Sequence, residues 1–293
     1  MKLWLKIAMV VLATLILLYA LGINAEYYLT ATRSVLIDKT VEEVPGHALA
    51  DTHPIILLHG FNPTYSGRIS ELLLKPLQEG LVEELNYTDK GIYTKKMTCT
   101  ELLYEKKPFV LRMTYLEQYD LVDIDAYSEN LARTIEHVLD CTGAESVDLV
   151  AHSMGGIVAR IYILEKLAAE ENPRINKLVM LGTPNHGGLY NIGGLTGLLI
   201  EDGEPKVDLD FVSLSEDNNF MQKLNEGDET PGETKYYTIA GDIDDKGDGL
   251  ILKESVPVEG SGGDFMVSCE HNMLKFPQTC PEAMNFVVEV IQE

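Results

Sequence analysis

Residues Val147 to Gly156 read VDLVAHSMGG, and no other stretch restricts what this chain can fold into as tightly. Val147 to Ala151 is an apolar run of strand length, and Gly156 opens an apolar pattern of helical period. Ser153 therefore stands at the apex of a strand, a sharp turn and a helix. A turn that tight demands small residues at Ala151 and Gly155, and it pushes the seryl oxygen out above the edge of a sheet. The helix that follows aims its first amide groups at the space beside that oxygen, where they favour developing negative charge. Ser153 reads as a nucleophile. A small-x-Ser-x-Gly pattern alone occurs in many chains; the strand before it and the helix after it carry the reading.

The remaining chain alternates between strand and helix signals. His53 to Gly60 (HPIILLHG) is a continuous apolar run, as expected of a strand buried on both faces of a parallel sheet. Ser66 to Leu85 is amphipathic at helical spacing, with Pro76 expected to kink it. Lys107 to Tyr115 predicts the next strand, and Ala126 to Cys141 a helix capped by Gly143. Ser146 begins the strand carrying the serine turn, Ile157 to Ala169 is the helix beneath it, and Asn172-Pro173 stops that helix. Asn176 to Leu181 and Lys235 to Gly241 are further strands, Asn218 to Asn225 is a short helix, and Pro281 to Gln292 is the final helix. This order predicts an α/β fold with a mostly parallel, doubly wound sheet.

With 293 residues, 45% of them hydrophobic, the chain suffices for one large domain with appendages. Its net charge of −23 excludes nucleic acid as an expected partner. Lys2 and Lys6 precede an uncharged run of seventeen residues, Ile7 to Ile23, long for a cleaved signal and close to a bilayer span. The Ile23-Asn24-Ala25 end is a poor cleavage site, which favours an N-terminal membrane anchor over residues 1–25 with the remainder outside; a cleaved signal and a secreted protein is the other reading. Residues 26–52 read as a juxtamembrane link with a further edge strand, and 53–293 as the catalytic-type domain. Cys99, Cys141, Cys269 and Cys280 fit an oxidising compartment, with Cys269 and Cys280 close enough in sequence to staple one loop; four free thiols are the alternative.

Val138 to Gly156 (VLDCTGAESVDLVAHSMGG) resembles the nucleophile region of bacterial lipases of the α/β-hydrolase superfamily, and the Bacillus-type lipases share Ala at the first position of the turn. Gly182 to Gly188 (GTPNHGG) is similar to a glycine-rich turn beside the active site of triacylglycerol lipases. The resemblance implies the α/β-hydrolase fold and a Ser-His-Asp triad. In such enzymes the turn after the first strong strand lends a backbone amide to the oxyanion hole, which assigns the N–H of Phe61, with that of Met154 as the second donor. It implies Asp248, in the Asp248-Gly249 step after the Lys235 to Gly241 strand, as the acid, with Asp244 and Asp245 in reserve. His271, the last histidine, precedes the final helix and sits in a His-x-x-Leu-x-x-Pro context similar to lipases, so it is the implied base. His186 comes before any acid and is assigned a structural role; His59 and His152 read as packing residues flanking the motifs.

The implied chemistry is acyl transfer from an ester to water through Ser153, needing no metal or organic cofactor. The expected substrate is a small-molecule or lipid ester. Residues 189–234 are where such enzymes carry a lid, and a packed loop is the equal alternative. Four carboxylates between Asp242 and Asp248 raise calcium, but Lys246 and Lys253 fall at the fifth and twelfth positions from Asp242, so the loop fails the EF-hand template and calcium stays a minor reading. Two other functions remain open: acyl transfer to an alcohol or amine, or deacylation of a lipid-anchored molecule, with the same triad; and an anchored, non-catalytic binding protein on the same scaffold.

Overall fold

The computed structural model describes residues 49, 52–61, 73–103, 105, 107–113, 124–190, 200–201, 204–205 and 219–293. In chain order the elements are β1 (Ile55–Leu58), α1 (Lys75–Leu85), β2 (Thr88–Ile92), α2 (Cys99–Leu103), β3 (Phe109–Met113), α3 (Ile124–Thr142), β4 (Val147–His152), α4 (Met154–Ala168), β5 (Ile175–Leu181), the short antiparallel pair β6 (Ile200–Glu201) and β7 (Glu204–Pro205), α5 (Asn219–Leu224), β8 (Lys235–Gly241), β9 (Gly263–Val267) and α6 (Pro281–Gln292). Seven strands form one sheet in the order β2-β3-β1-β4-β5-β8-β9, and every pairing in it is parallel. This is the parallel, doubly wound sheet expected from the strand–helix alternation, and it agrees with the fold that the lipase resemblance implies.

Period two in the strands explains why their sequences run apolar without a polar face. Ile56, Leu58, Leu111, Leu149, Ala151, Leu178 and Met180 point into a core shared with α3 and α4. Their neighbours Ile55, Leu57, Val110, Val150, Val179 and Leu181 point into a second core shared with α1 and α6. A strand buried on both sides has no place for the alternation that marks a half-exposed one. β4, central in the sheet, is buried at all six positions.

Two strands of the seven-stranded sheet escape the sequence reading, and both lie at its edges. β2 reads TDKGI, with too little apolar content to register as a strand. β9 reads GDFMV and exposes Asp264, Phe265 and Met266. Leu73 is helical. Leu74 is a turn residue, and α1 starts after it with Pro76 in its first turn, where a missing N–H costs nothing. The rest of the expected 66–85 helix, the 1–25 anchor, most of the 26–52 link and most of the 189–234 insertion lie outside the described residues. Among the described residues no helix is long and apolar enough to cross a membrane.

All four cysteines are paired. Cys99 to Cys141 joins α2 to the end of α3, and Cys269 to Cys280 joins the segment after β9 to the start of α6. Gly143 closes α3 with φ at 70°, and its N–H donates to Leu139 O at 2.8 Å.

One polar group is buried at the far end of β4. Asp148 is 2% exposed and accepts a hydrogen bond from Asn176 Nδ2 at 2.8 Å. Burial pushes its carboxyl up to about 6, against the pull of the Asn176 amide, His53 and Lys177. A carboxyl that holds its proton more tightly folded than unfolded stabilises fully below the unfolded value of 3.8, and that stabilisation is lost as pH rises through about 6. Asp148→Asn keeps an acceptor for Asn176 without the buried charge. It is expected to raise the unfolding free energy by about 1–3 kcal/mol above the upper midpoint, an advantage that shrinks as the pH approaches the unfolded carboxyl value, as followed by urea denaturation across pH.

Candidate active site

The carboxyl ends of five neighbouring strands collect five turns: Gly60-Phe61 after β1, Ser153 after β4, Gly182 after β5, Asp248 after β8 and His271 after β9. In an open parallel sheet this edge is where loops from adjacent strands converge on a ligand.

Ser153 caps α4 with φ 56° and ψ −127°. That backbone is unfavourable for any residue with a β-carbon, and its neighbours hold it there. Ser153 N–H donates to Leu181 O at 2.8 Å, while its carbonyl accepts from Thr183 Oγ1 at 3.0 Å and from Gly156 N at 3.0 Å. Glycine is required around it. A β-carbon on Gly60 would stand 2.7 Å from Ser153 Cβ, and one on Gly155 would stand 2.7 Å from His59 O. The β1 turn thus runs directly against the serine, with Phe61 as the next residue. Met154 is the first residue of α4, so its N–H has no acceptor within the helix.

The structure brings the other expected side chains to the serine. His271 Nε2 lies 3.0 Å from Ser153 Oγ, and His271 Nδ1 lies 2.7 Å from Asp248 Oδ2. Asp248 Oδ1 accepts from the N–H groups of Leu250 at 3.0 Å and Ile251 at 2.7 Å. The His271 N–H donates to Asp248 O at 2.9 Å. Both carboxylate oxygens of Asp248 are occupied, which leaves it an acceptor and assigns the imidazole proton to Nδ1. Nε2 is then free to accept from the Ser153 hydroxyl. Ser153 is 8%, Asp248 2% and His271 5% exposed, so the chain of hydrogen bonds is shielded from bulk water. Gly182, at φ 57°, passes beneath the pair; a β-carbon there would sit 3.0 Å from His271 Nδ1.

His271 opens a short 3₁₀ turn, His271–Lys275, that the Cys269–Cys280 disulfide brackets. Behind it stand His59, His152 and Lys275. Burial lowers His59 to about 4 and Lys275 to about 8, and burial aided by the Lys275 charge holds His152 well below the usual imidazole range. From sequence the two histidines read as packing residues; the position of His152, next to the serine, is the one signal that it has more to do.

Asp244 and Asp245 stand apart from the histidine. Asp244 Oδ1 accepts from the N–H groups of Lys246 and Gly247, at 3.1 and 3.2 Å. Lys253 Nζ lies 2.8 Å from Asp242 Oδ2 and 2.7 Å from Asp245 Oδ1, so an ammonium takes the place between these carboxylates that a calcium ion would need. His186 is tied to Glu229 Oε1 at 2.9 Å and to Ser255 O at 3.3 Å, as a clamp between the GTPNHGG turn and the segment after α5. Among the described residues, the two clusters with metal-ligand spacing, Cys99/His137/Cys141 and Cys269/Cys280/Glu282, have their sulfurs committed to disulfides.

Known proteins share this arrangement of strands and helices. The family described as alpha/beta hydrolase of unknown function (DUF915) matches residues 46–260. No curated protein matches the chain in sequence. Among solved structures, the mature lipase BlEst2 of Bacillus licheniformis superposes with a TM-score of 0.54 at 16% identity, covering 86% of this chain and 95% of its own. A gene product of Listeria innocua gives 0.50 at 19% identity, covering 81% and 92%. A putative cell surface hydrolase from Lactobacillus plantarum gives 0.51 at 14% identity, covering 82% and 90%. At these identities the likeness is one of fold.

The packing around the serine turn yields a stability test. A β-carbon on Gly156 would lie 2.1 Å from Thr183 Oγ1 and 2.7 Å from its Cγ2. Gly156→Ala is expected to destabilise by about 1–3 kcal/mol, despite the better helix propensity of alanine, and Thr183→Ser in the same chain should recover part of the loss in thermal melts.

Proposed function

The chain belongs to the α/β-hydrolase family, and from that premise we propose that it is a serine hydrolase of carboxylic esters, lipase- or esterase-like, with Ser153, His271 and Asp248 as its triad. The observation that carries the proposal is the unbroken hydrogen-bonded chain from Asp248 through His271 to Ser153, at 2.7 and 3.0 Å.

Ser153 Oγ attacks the ester carbonyl as its proton passes to His271 Nε2, and Asp248 stabilises the imidazolium formed. The tetrahedral oxyanion is received by the N–H groups of Met154 and Phe61, each worth about 3 kcal/mol in such sites. Collapse expels the alcohol, which takes the proton from His271 and leaves the acyl group on Ser153. Water, deprotonated by His271, attacks the acyl-enzyme; the acid departs and the serine hydroxyl is restored. Every proton in the cycle passes through one ring nitrogen. The loop carrying Asp248 supports that role, since the backbone amides of Leu250 and Ile251 hold its Oδ1 and leave Oδ2 facing the imidazole.

A lipid or other acyl ester is the proposed substrate class, a reading to which the description of BlEst2 as a lipase lends support. Two disulfides and no free cysteine favour an oxidising compartment, consistent with a domain held outside the membrane by residues 1–25.

Ser153→Ala is expected to abolish p-nitrophenyl ester hydrolysis while leaving circular dichroism unchanged. Asp248→Asn should lower kcat by about 10⁴-fold, because an amide cannot hold the imidazole in the required tautomer. Steady-state kinetics checks both; a Ser153→Ala protein that turns over at the wild-type rate ends the assignment.

A further inference from the structure

Three buried basic groups behind the triad take no part in the hydrolytic cycle: His59, His152 and Lys275, at 2%, 3% and 4% exposure. Of these, His152 touches the most machinery. It is the last residue of β4 and the chain neighbour of Ser153. Its Nε2 lies 3.0 Å from the backbone carbonyl oxygen of His271, and the two rings pack with centroids 4.8 Å apart at 46°. On its other side, His152 Nδ1 stands 2.9 Å from where a β-carbon of Gly60 would be, against the turn that leads into Phe61. A single imidazole fills the space between the serine strand, the oxyanion turn and the base.

The chemistry of that contact is determined. A carbonyl oxygen only accepts, so His152 must present Nε2–H to His271 O. Burial and the nearby positive charge of Lys275 keep the ring neutral, with His271 and His59 acting in the same sense. Lys275 Nζ itself donates to Asn272 Oδ1 at 3.0 Å, which ties the ammonium to the same 3₁₀ turn. His271 needs such a tie. It opens a turn of five residues between the edge strand β9 and α6, and a turn of that length supplies few hydrogen bonds of its own. Its N–H is held by Asp248 O at 2.9 Å, and its carbonyl is held by His152.

We propose that His152 is a positioning residue for the base, its Nε2–H fixing the His271 carbonyl and thereby the reach of the His271 ring to Ser153. The inference rests on the hydrolase reading above. Without the donor, the His271 carbonyl loses its tie to β4 and the turn is free to tilt, and displacement of a catalytic group by about 1 Å costs up to roughly 100-fold in rate. The effect falls on kcat and on the reactivity of the serine, since no part of His152 is placed to touch substrate.

The test compares His152→Phe, which keeps an aromatic ring without a donor, with His152→Gln, whose amide N–H reaches near the Nε2 position. His152→Phe is expected to lower both kcat for a p-nitrophenyl ester and the rate of Ser153 labelling by a fluorophosphonate by about 10- to 100-fold, with KM changed less than about twofold. His152→Gln should recover most of that loss. Wild-type rates in the Phe variant, or equal losses in Phe and Gln variants of unchanged melting temperature, overturn the proposal and leave the hydrolase reading standing. A wild-type protein that neither hydrolyses nor labels ends the hydrolase reading instead. Nitrogen-15 NMR of the wild-type imidazoles reads the same bond without any substitution: an Nε2–H tautomer at His152 near neutral pH is expected, and an Nδ1–H tautomer with bare Nε2 contradicts the proposal whether or not the variants fold.

Discussion

The backbone of Ser153, bent to φ 56° and ψ −127°, is the constraint to which the surrounding structure answers. Such a conformation costs about 1–3 kcal/mol in a residue with a side chain and persists only where the neighbours over-determine it. Here they do so from the two strands that flank β4. β5 accepts the serine N–H at Leu181 O, Thr183 bonds its carbonyl, and the β1 turn closes on it at Gly60. The missing β-carbons of Gly60, Gly155 and Gly156 are therefore a single adaptation, space for backbone to approach a serine that must point away from the sheet.

That geometry becomes useful because the strands beside β4 deliver their turns to the same edge. β8 brings Asp248 and β9 brings His271, and these two strands are neighbours at one side of the sheet. The proposed base, His271, follows an edge strand. Its turn compensates with a backbone bond to Asp248 O, the contact with His152 and the disulfide between Cys269 and Cys280. Charge is managed by local pairing as well. Lys253 neutralises Asp242 and Asp245 a few residues from the catalytic-type acid, which leaves Asp248 to its two amide donors and the imidazole.

Much of this is legible in the sequence, for a physical reason. Central parallel strands are largely apolar: β1 is an unbroken apolar run, and β4, β5 and β8 are mostly apolar with a few polar positions. The serine turn is legible because its glycines and alanine are dictated by local backbone geometry. Asp248 and His271 can be named because a resemblance supplies their order along the chain, and the fold brings both to Ser153. Edge strands are not legible. β2 is polar, and β9 leaves three of its five residues exposed, so neither carries the period that marks a buried strand. The role of His152 is hidden for another reason: its partner is the backbone carbonyl of a residue 119 positions away, and no local pattern records a contact of that kind.

The central claim is that Ser153, and no other residue, is made nucleophilic by the folded arrangement of His271 and Asp248. Peptide mapping by mass spectrometry after treatment with a fluorophosphonate tests it most directly, comparing native protein with protein unfolded in urea. A single phosphonyl adduct on the peptide containing Ser153, formed by the native protein and absent from the unfolded one, is the predicted result. An unlabelled native protein, or an adduct on a different serine, would contradict it.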